Sequence, residues 1–164
     1  MFKFKIWVDA DSFPAMARDF TVSFAKSHGI SVVFVANHEI KSKIACTGLE
    51  MRVVEKKAGA ADDFIFDASA ENDIVLTRDL PFAARLVEKK ISVMNDRGVK
   101  FTERNIKERL AEREFSLNLS QIGFGGNKGN YYGEKELRKF SSEFEREVLA
   151  HEMAETYNIK KYFV

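Results

Sequence analysis

Three short apolar runs constrain the fold of this 164-residue chain more than anything else in it. Ser-Val-Val-Phe-Val-Ala at residues 31–36, Asp-Ile-Val-Leu-Thr at 73–77 and Ile-Ser-Val-Met at 91–94 are too brief for ordinary helices. They are apolar on consecutive residues, as strands covered on both faces are. A fourth stretch alternates Phe2, Phe4, Ile6 and Val8 with Lys3, Lys5 and Trp7, and reads as a strand with one strongly buried face. Residues 49–54 supply a fifth.

Helical patterns separate these runs. Met16, Ala17, Phe20, Val22 and Phe24 form a stripe, with Ser12 as the expected cap, Pro14 in the first turn and Gly29 as the stop. Ala60-Ala61-Asp62-Asp63 opens a second helix through Phe64, Ile65, Phe66 and Ala68, and Pro81 a third through Phe82, Ala83, Leu86 and Val87. Strand–helix alternation up to about residue 95 predicts an α/β fold with three layers around a central, mostly parallel sheet.

Residues 38–47 form a polar link with room for a short helix, and 99–101 a short edge strand. Thr102 caps a long charged helix to about residue 118. Residues 123–130 are glycine-dense but lack the strand–loop–helix context and Lys-Ser/Thr ending of a phosphate-binding loop, so a linker is expected. A last helix over 133–157 carries Leu137, Phe140, Phe144, Val148 and Leu149 on its apolar face. The expected division is an α/β domain over 1–120 followed by a glycine-rich loop and helical extension over 121–164.

Hydrophobic residues at 45% against 31% charged give a globular balance, and a net charge of +1 excludes a grossly basic nucleic-acid binder. A single cysteine, Cys46, excludes an intrachain disulfide and a cysteine zinc site. His28, His38 and His151 have no ligand-like spacing. Without a signal-like or membrane-length apolar run, a cytoplasmic protein with no membrane partner is expected.

The chemistry lies in the acids. Asp9 and Asp11 follow the first strand, Asp79 the fourth and Asp96 the fifth, while Asp62 and Asp63 open the helix after the third. In a parallel sheet these positions share the carboxyl edge, where open α/β sheets bind ligands. Such carboxylates repel one another unless a cation intervenes, and all-oxygen donors suit Mg²⁺ or Mn²⁺. A metal held there lowers the pKa of bound water and stabilises in-line displacement at a phosphodiester. Residues 85–109 hold eight basic and four acidic residues, a local excess suited to a phosphate backbone. Arg97 and Lys100, with Thr77 and Asn95 at strand ends, are the candidate substrate contacts.

Ile-Trp-Val-Asp-Ala-Asp-Ser-Phe-Pro at 6–14 resembles the opening motif of the YaiI/YqxD family of uncharacterised bacterial proteins. The resemblance extends to Ala61-Asp62, to Asp-Ile-Val-Leu-Thr-Arg-Asp-Leu-Pro-Phe-Ala at 73–83 and to Asn95-Asp96-Arg97-Gly98 with Thr102 beyond. It covers roughly residues 4–120. The family is similar to PIN-like domains, metal-dependent nucleases on a small parallel sheet. The resemblance implies Asp9, Asp62 and Asp79 as catalytic metal ligands, with Asp11 either a further ligand or a group supporting the ligands from behind. The family commonly carries Cys at the position of Phe13 and Pro at that of Asp96, which demotes Asp96 as a required ligand.

Three functions are compatible with these residues. The first is a Mg²⁺- or Mn²⁺-dependent nuclease, with RNA favoured over DNA. The second is a non-catalytic nucleic-acid-binding or regulatory module that keeps a metal cleft. The third is a haloacid-dehalogenase-like phosphatase, in which Asp9 is the nucleophile, Asp11 the general acid/base and Thr77 a phosphate-binding hydroxyl.

Overall fold

The computed structural model describes residues 1–125 and 131–159; residues 126–130 of the glycine-rich segment lie outside the described residues. Six strands, β1 (Lys5–Asp9), β2 (Ser31–Ala36), β3 (Leu49–Val53), β4 (Ile74–Leu76), β5 (Ser92–Met94) and β6 (Lys100–Phe101), form one sheet in the order β3-β2-β1-β4-β5-β6. Only β6 is antiparallel to its neighbour. The helices are α1 (Ala15–His28), α2 (Ala60–Ala68), α3 (Leu80–Glu88), α4 (Glu103–Gln121) and α5 (Glu134–Thr156). The expected three-layer α/β architecture, consistent with a PIN-like fold, is therefore present.

Two hydrophobic clusters make the layers. On one face Ile6, Val8, Val32 and Phe34 pack against Ala17, Val22 and Ala25 of α1 and Phe140, Phe144 and Val148 of α5. On the other, Trp7, Val33, Val35 and Val75 meet Ile65 of α2, Phe82, Leu86 and Val87 of α3 and Ile106 of α4. Phe20 and Phe24 of α1 meet Phe140 and Phe144 edge-on, with centroids 5.7–6.3 Å apart. Phe140 and Phe144 are fully buried, so α5 supplies core to the same cluster as β1.

Several expectations are corrected. β1 starts at Lys5 rather than Phe2, and Trp7 is as much a core residue as Ile6 and Val8 because helices cover both faces of the central strand. Ser12 does not cap α1; the N-cap is Pro14, and the Ser12 hydroxyl turns back to Asp9. Residues 38–47 contain no helix, and α4 continues to Gln121. Met16 and Leu149 are exposed rather than part of their apolar stripes, at 40% and 47%. Gly29 ends α1 at φ 66°, as expected.

Two local devices set the sheet edges. At the amino edge, the buried Asp73 carboxylate accepts hydrogen bonds from Lys5 N (2.8 Å), Trp7 Nε1 (2.9 Å) and Ala70 N (2.9 Å). At the carboxyl edge, the Asn95 side-chain oxygen accepts from Arg97 N and Val99 N, closing the β5–β6 turn. Gly98 completes that turn at φ 77°, with the Lys139 carbonyl of α5 so near that a Cβ would meet it at 2.5 Å.

Candidate active site

The strand order 3-2-1-4 reverses direction between β1 and β4, and ligand crevices of open α/β sheets lie beyond the carboxyl ends at this switch point. Asp9 ends β1 there. Its Oδ2 accepts hydrogen bonds from Thr77 Oγ1 and Ser12 Oγ, both at 2.9 Å, while Oδ1 accepts none from the described residues. Thr77, fully buried just past β4, also accepts from Asp79 N at 3.0 Å. One hydroxyl thus ties Asp9 to the backbone of Asp79. Asp79 is the N-cap of α3, with Oδ1 accepting from Phe82 N at 2.9 Å.

Asp62 enters from the first turn of α2, behind Gly59. It is half-buried and makes no hydrogen bond or ion pair with the described residues. Its pKa is pushed up from 3.8 to about 7, first by burial and then by the negative charges of Asp9 and Asp79; Arg85 offsets only part of this. The pKa of Asp9 is raised as well, mainly by burial. Bonds from Thr77 and Ser12 oppose the rise, and Asp79 and Asp11 add to it. Three carboxylates therefore sense one another across the switch point, and the least compensated holds a proton near neutrality.

The other predicted acids diverge. Asp11 faces the end of β2, where Oδ2 accepts from Asn37 N at 3.0 Å and Oδ1 lies 3.2 Å from His38 Nδ1. With Asn37, Lys56, Lys57 and Asp62 it lines a cleft of about 310 Å³ beside the trio. Asp63 points outward to Arg85. Asp96 is buried at the end of β5, with Oδ2 3.3 Å from Arg78 Nε.

The predicted substrate contacts are likewise dispersed. Thr77 is inside the site. The Asn95 oxygen is used by its own turn, Arg97 donates to the Tyr131 carbonyl at 3.3 Å, and Lys100 is ion-paired with Glu147 at 3.2 Å. The basic excess over 85–109 does not form one track to the acids. Lys89 and Lys90 follow α3, which runs back from the acidic edge, and Lys89 donates to the Phe66 and Ser69 carbonyls.

Sequence reasoning missed Ser12 as a ligand of Asp9, and also Arg18, which donates to the Ala10 and Phe13 carbonyls at 2.9 and 2.6 Å and braces the β1–α1 loop. The motif held a signal for Ser12, since it stands three residues beyond Asp9. Arg18 has none.

The oxygen donors of Asp9, Asp62 and Asp79 suit a hard cation, and their mutual repulsion is what such a cation would relieve. Among the described residues, however, no group of three or more His, Cys, Asp or Glu side chains is close enough to hold a metal. The arrangement fits an open site in which one or two carboxylates share Mg²⁺ with water and phosphate, rather than a closed cage.

No described helix is long and apolar enough to cross a membrane. A family profile described as "Uncharacterized BCR, YaiI/YqxD family" matches residues 7–150. The chain is similar to a UPF0178 protein of Treponema denticola, 42% identical over 138 residues that cover 84% of this chain and 87% of that protein. Similar proteins occur in Pseudomonas entomophila, 36% identical over 87% of this chain and 94% of the relative, and in Psychromonas ingrahamii, 34% identical over 86% and 93%. No solved structure matches the chain significantly. With the profile spanning most of the sheet, the switch-point acids and most of α5, the chain belongs to the YaiI/YqxD family.

Proposed function

We propose that this protein is a Mg²⁺- or Mn²⁺-dependent hydrolase of phosphodiester bonds, acting on RNA, with the metal shared by water, phosphate and one or two carboxylates of the Asp9, Asp62 and Asp79 trio. One observation carries the reading: Asp62 is a half-buried carboxylate without hydrogen-bond compensation, pushed up to about 7 beside Asp9 and Asp79. A structural aspartate in this sheet, such as Asp73, is saturated with N–H donors; Asp62 has none. The resemblance to PIN-like nucleases supports the reaction class and the preference for RNA.

The bound cation would supply Lewis acidity and a water of lowered pKa. The chain's own residues do the rest. Thr77 and Ser12 hold Asp9 Oδ2, and Oδ1 accepts no hydrogen bond from the described residues. The α3 N-terminus fixes Asp79 through Phe82 N. Asp62, raised to about 7 by burial and by Asp9 and Asp79, would be the carboxylate to lose a proton if a cation were held there.

That coupling is the test. Mn²⁺ titrations by calorimetry at pH 6.5, in two buffers of different ionisation enthalpy, should show a net release of protons, and that release should fall in Asp62→Asn. Asp79→Asn should weaken the metal while preserving α3, because Asn caps a helix as well as Asp does. Labelled single-stranded RNA should be cleaved with Mn²⁺ and left intact with chelator. RNA binding without metal-dependent cleavage would turn the reading to the non-catalytic module. Unchanged Mn²⁺ affinity in Asp9→Asn and Asp79→Asn would end the metal assignment.

A further inference from the structure

A site built from three carboxylates repels the phosphate it is meant to bind, so a cation of the protein's own must face it. Two basic side chains that the sequence offers for this are engaged elsewhere, Arg97 at the Tyr131 carbonyl and Lys100 at Glu147. Arg78 differs. In the chain it stands between Thr77, whose hydroxyl holds Asp9, and Asp79, both of which follow β4 into the switch point. Its Nε lies 3.3 Å from Asp96 Oδ2, and its terminal nitrogens make no hydrogen bond with the described residues.

Asp96 is an unusual anchor. Its side chain is 4% exposed against 32% for Arg78, and its buried Oδ2 has no hydrogen-bond partner despite the nearby guanidinium. The backbone of Asp96 is pinned from the α5 side, where Tyr132 Oη donates to its carbonyl at 2.7 Å. A buried carboxylate thus faces the Nε of a partly exposed arginine whose terminal nitrogens have no hydrogen-bond partner among the described residues. A guanidinium held by one edge presents the other as a two-pronged donor, the geometry that grips two phosphate oxygens.

We propose that Arg78 is the phosphate-contacting residue of this site and that Asp96 is the positioning residue that aims it, the ligand being the sugar–phosphate backbone of single-stranded RNA. The inference rests on the hydrolase reading and names how its substrate is held.

The test uses the full chain and a fluorescein-labelled 12-nucleotide single-stranded RNA, followed by anisotropy across a salt series with Ca²⁺ replacing Mg²⁺ to suppress cleavage. Arg78→Gln should weaken binding about tenfold and flatten the log K–log salt slope by about 0.7, the value for one phosphate contact on a single strand. Arg78→Lys should restore the slope but not the full affinity, because the charge returns without the fork. Asp96→Asn should lower affinity while leaving the slope unchanged, a pattern that loss of a phosphate contact does not produce, and a urea melt matching wild type separates it from partial unfolding. If Arg78→Gln leaves Asp96 unpaired and misfolds, the Arg78→Gln/Asp96→Asn double variant removes both charges and must still bind weakly.

Wild-type affinity and slope in the folded Arg78→Gln or double variant would overturn the inference while leaving the hydrolase reading in place. Wild-type affinity in Asp96→Asn would overturn the positioning role. A wild-type protein that neither binds nor cleaves the RNA would overturn both proposals.

Discussion

Asp62→Asn should make the protein more stable, and by more at pH 8 than at pH 5. In the folded chain the Asp62 carboxyl is pushed up to about 7 against 3.8 for an unperturbed aspartate. The native state therefore binds this proton more tightly than the unfolded state does. With the native state holding more protons, stability falls as pH rises from about 4 through 7 and levels off above it. Taken without screening, a rise from 3.8 to about 7 corresponds to about 4 kcal/mol. Asp62 is half-exposed, so solvent screening reduces this to about 1–2 kcal/mol.

Asparagine keeps the shape of the neutral acid and has nothing to ionise. The variant should gain about 1–2 kcal/mol at pH 8, equivalent to roughly 3–6 °C in Tm for a chain of this size. At pH 5 only about a third of the penalty has developed, and the gain should shrink in proportion. Urea melts of both proteins at the two pH values, in chelator, measure the difference. An Asp62→Asn protein no more stable than wild type at pH 8, or equally stabilised at both, would refute the electrostatic account of the trio.

Other perturbations probe the frame around the site. Thr77→Val preserves shape but removes the hydroxyl between Asp9 and Asp79 N, and should cost about 2–3 kcal/mol in urea melts. Gly98→Ala places a Cβ 2.5 Å from the Lys139 carbonyl at a positive φ, and should cost about 2 kcal/mol or more, with Tm falling accordingly. Phe140→Ala empties a fully buried position between α5, Phe13 and Phe20, and should lose about 3–5 kcal/mol in a single cooperative transition.

The parallel sheet was readable because its strands are apolar on successive residues and its helices have clear punctuation, as at Gly29 and Pro81. Asp9 and Asp79 were readable as edge acids because a strand end fixes where its next residue goes. The partners that give these acids their chemistry were not. That Asp11 turns to Asn37 and His38, and Asp96 to Arg78, depends on loop paths that no periodicity encodes. Lys100 looked suited to phosphate from its charge and place in the chain, yet an acid of α5, some 47 residues on, claims it. Exposed charge patterns are weak guides because several geometries satisfy them equally, whereas a buried apolar run has few alternatives.

The Asp73 clamp at the far edge bears on the site through register. By accepting from Lys5 N and Trp7 Nε1 together, it locks β1 against β4 in the pairing Ile6 to Ile74, Trp7 to Val75 and Val8 to Leu76. A slip of one residue would swing every β1 side chain to the opposite face and carry Asp9 away from the Thr77 hydroxyl. Asp73 works like the zero mark of a ruler: set at one end of the strand, it decides which residue reaches the crevice four residues along, roughly 13 Å away.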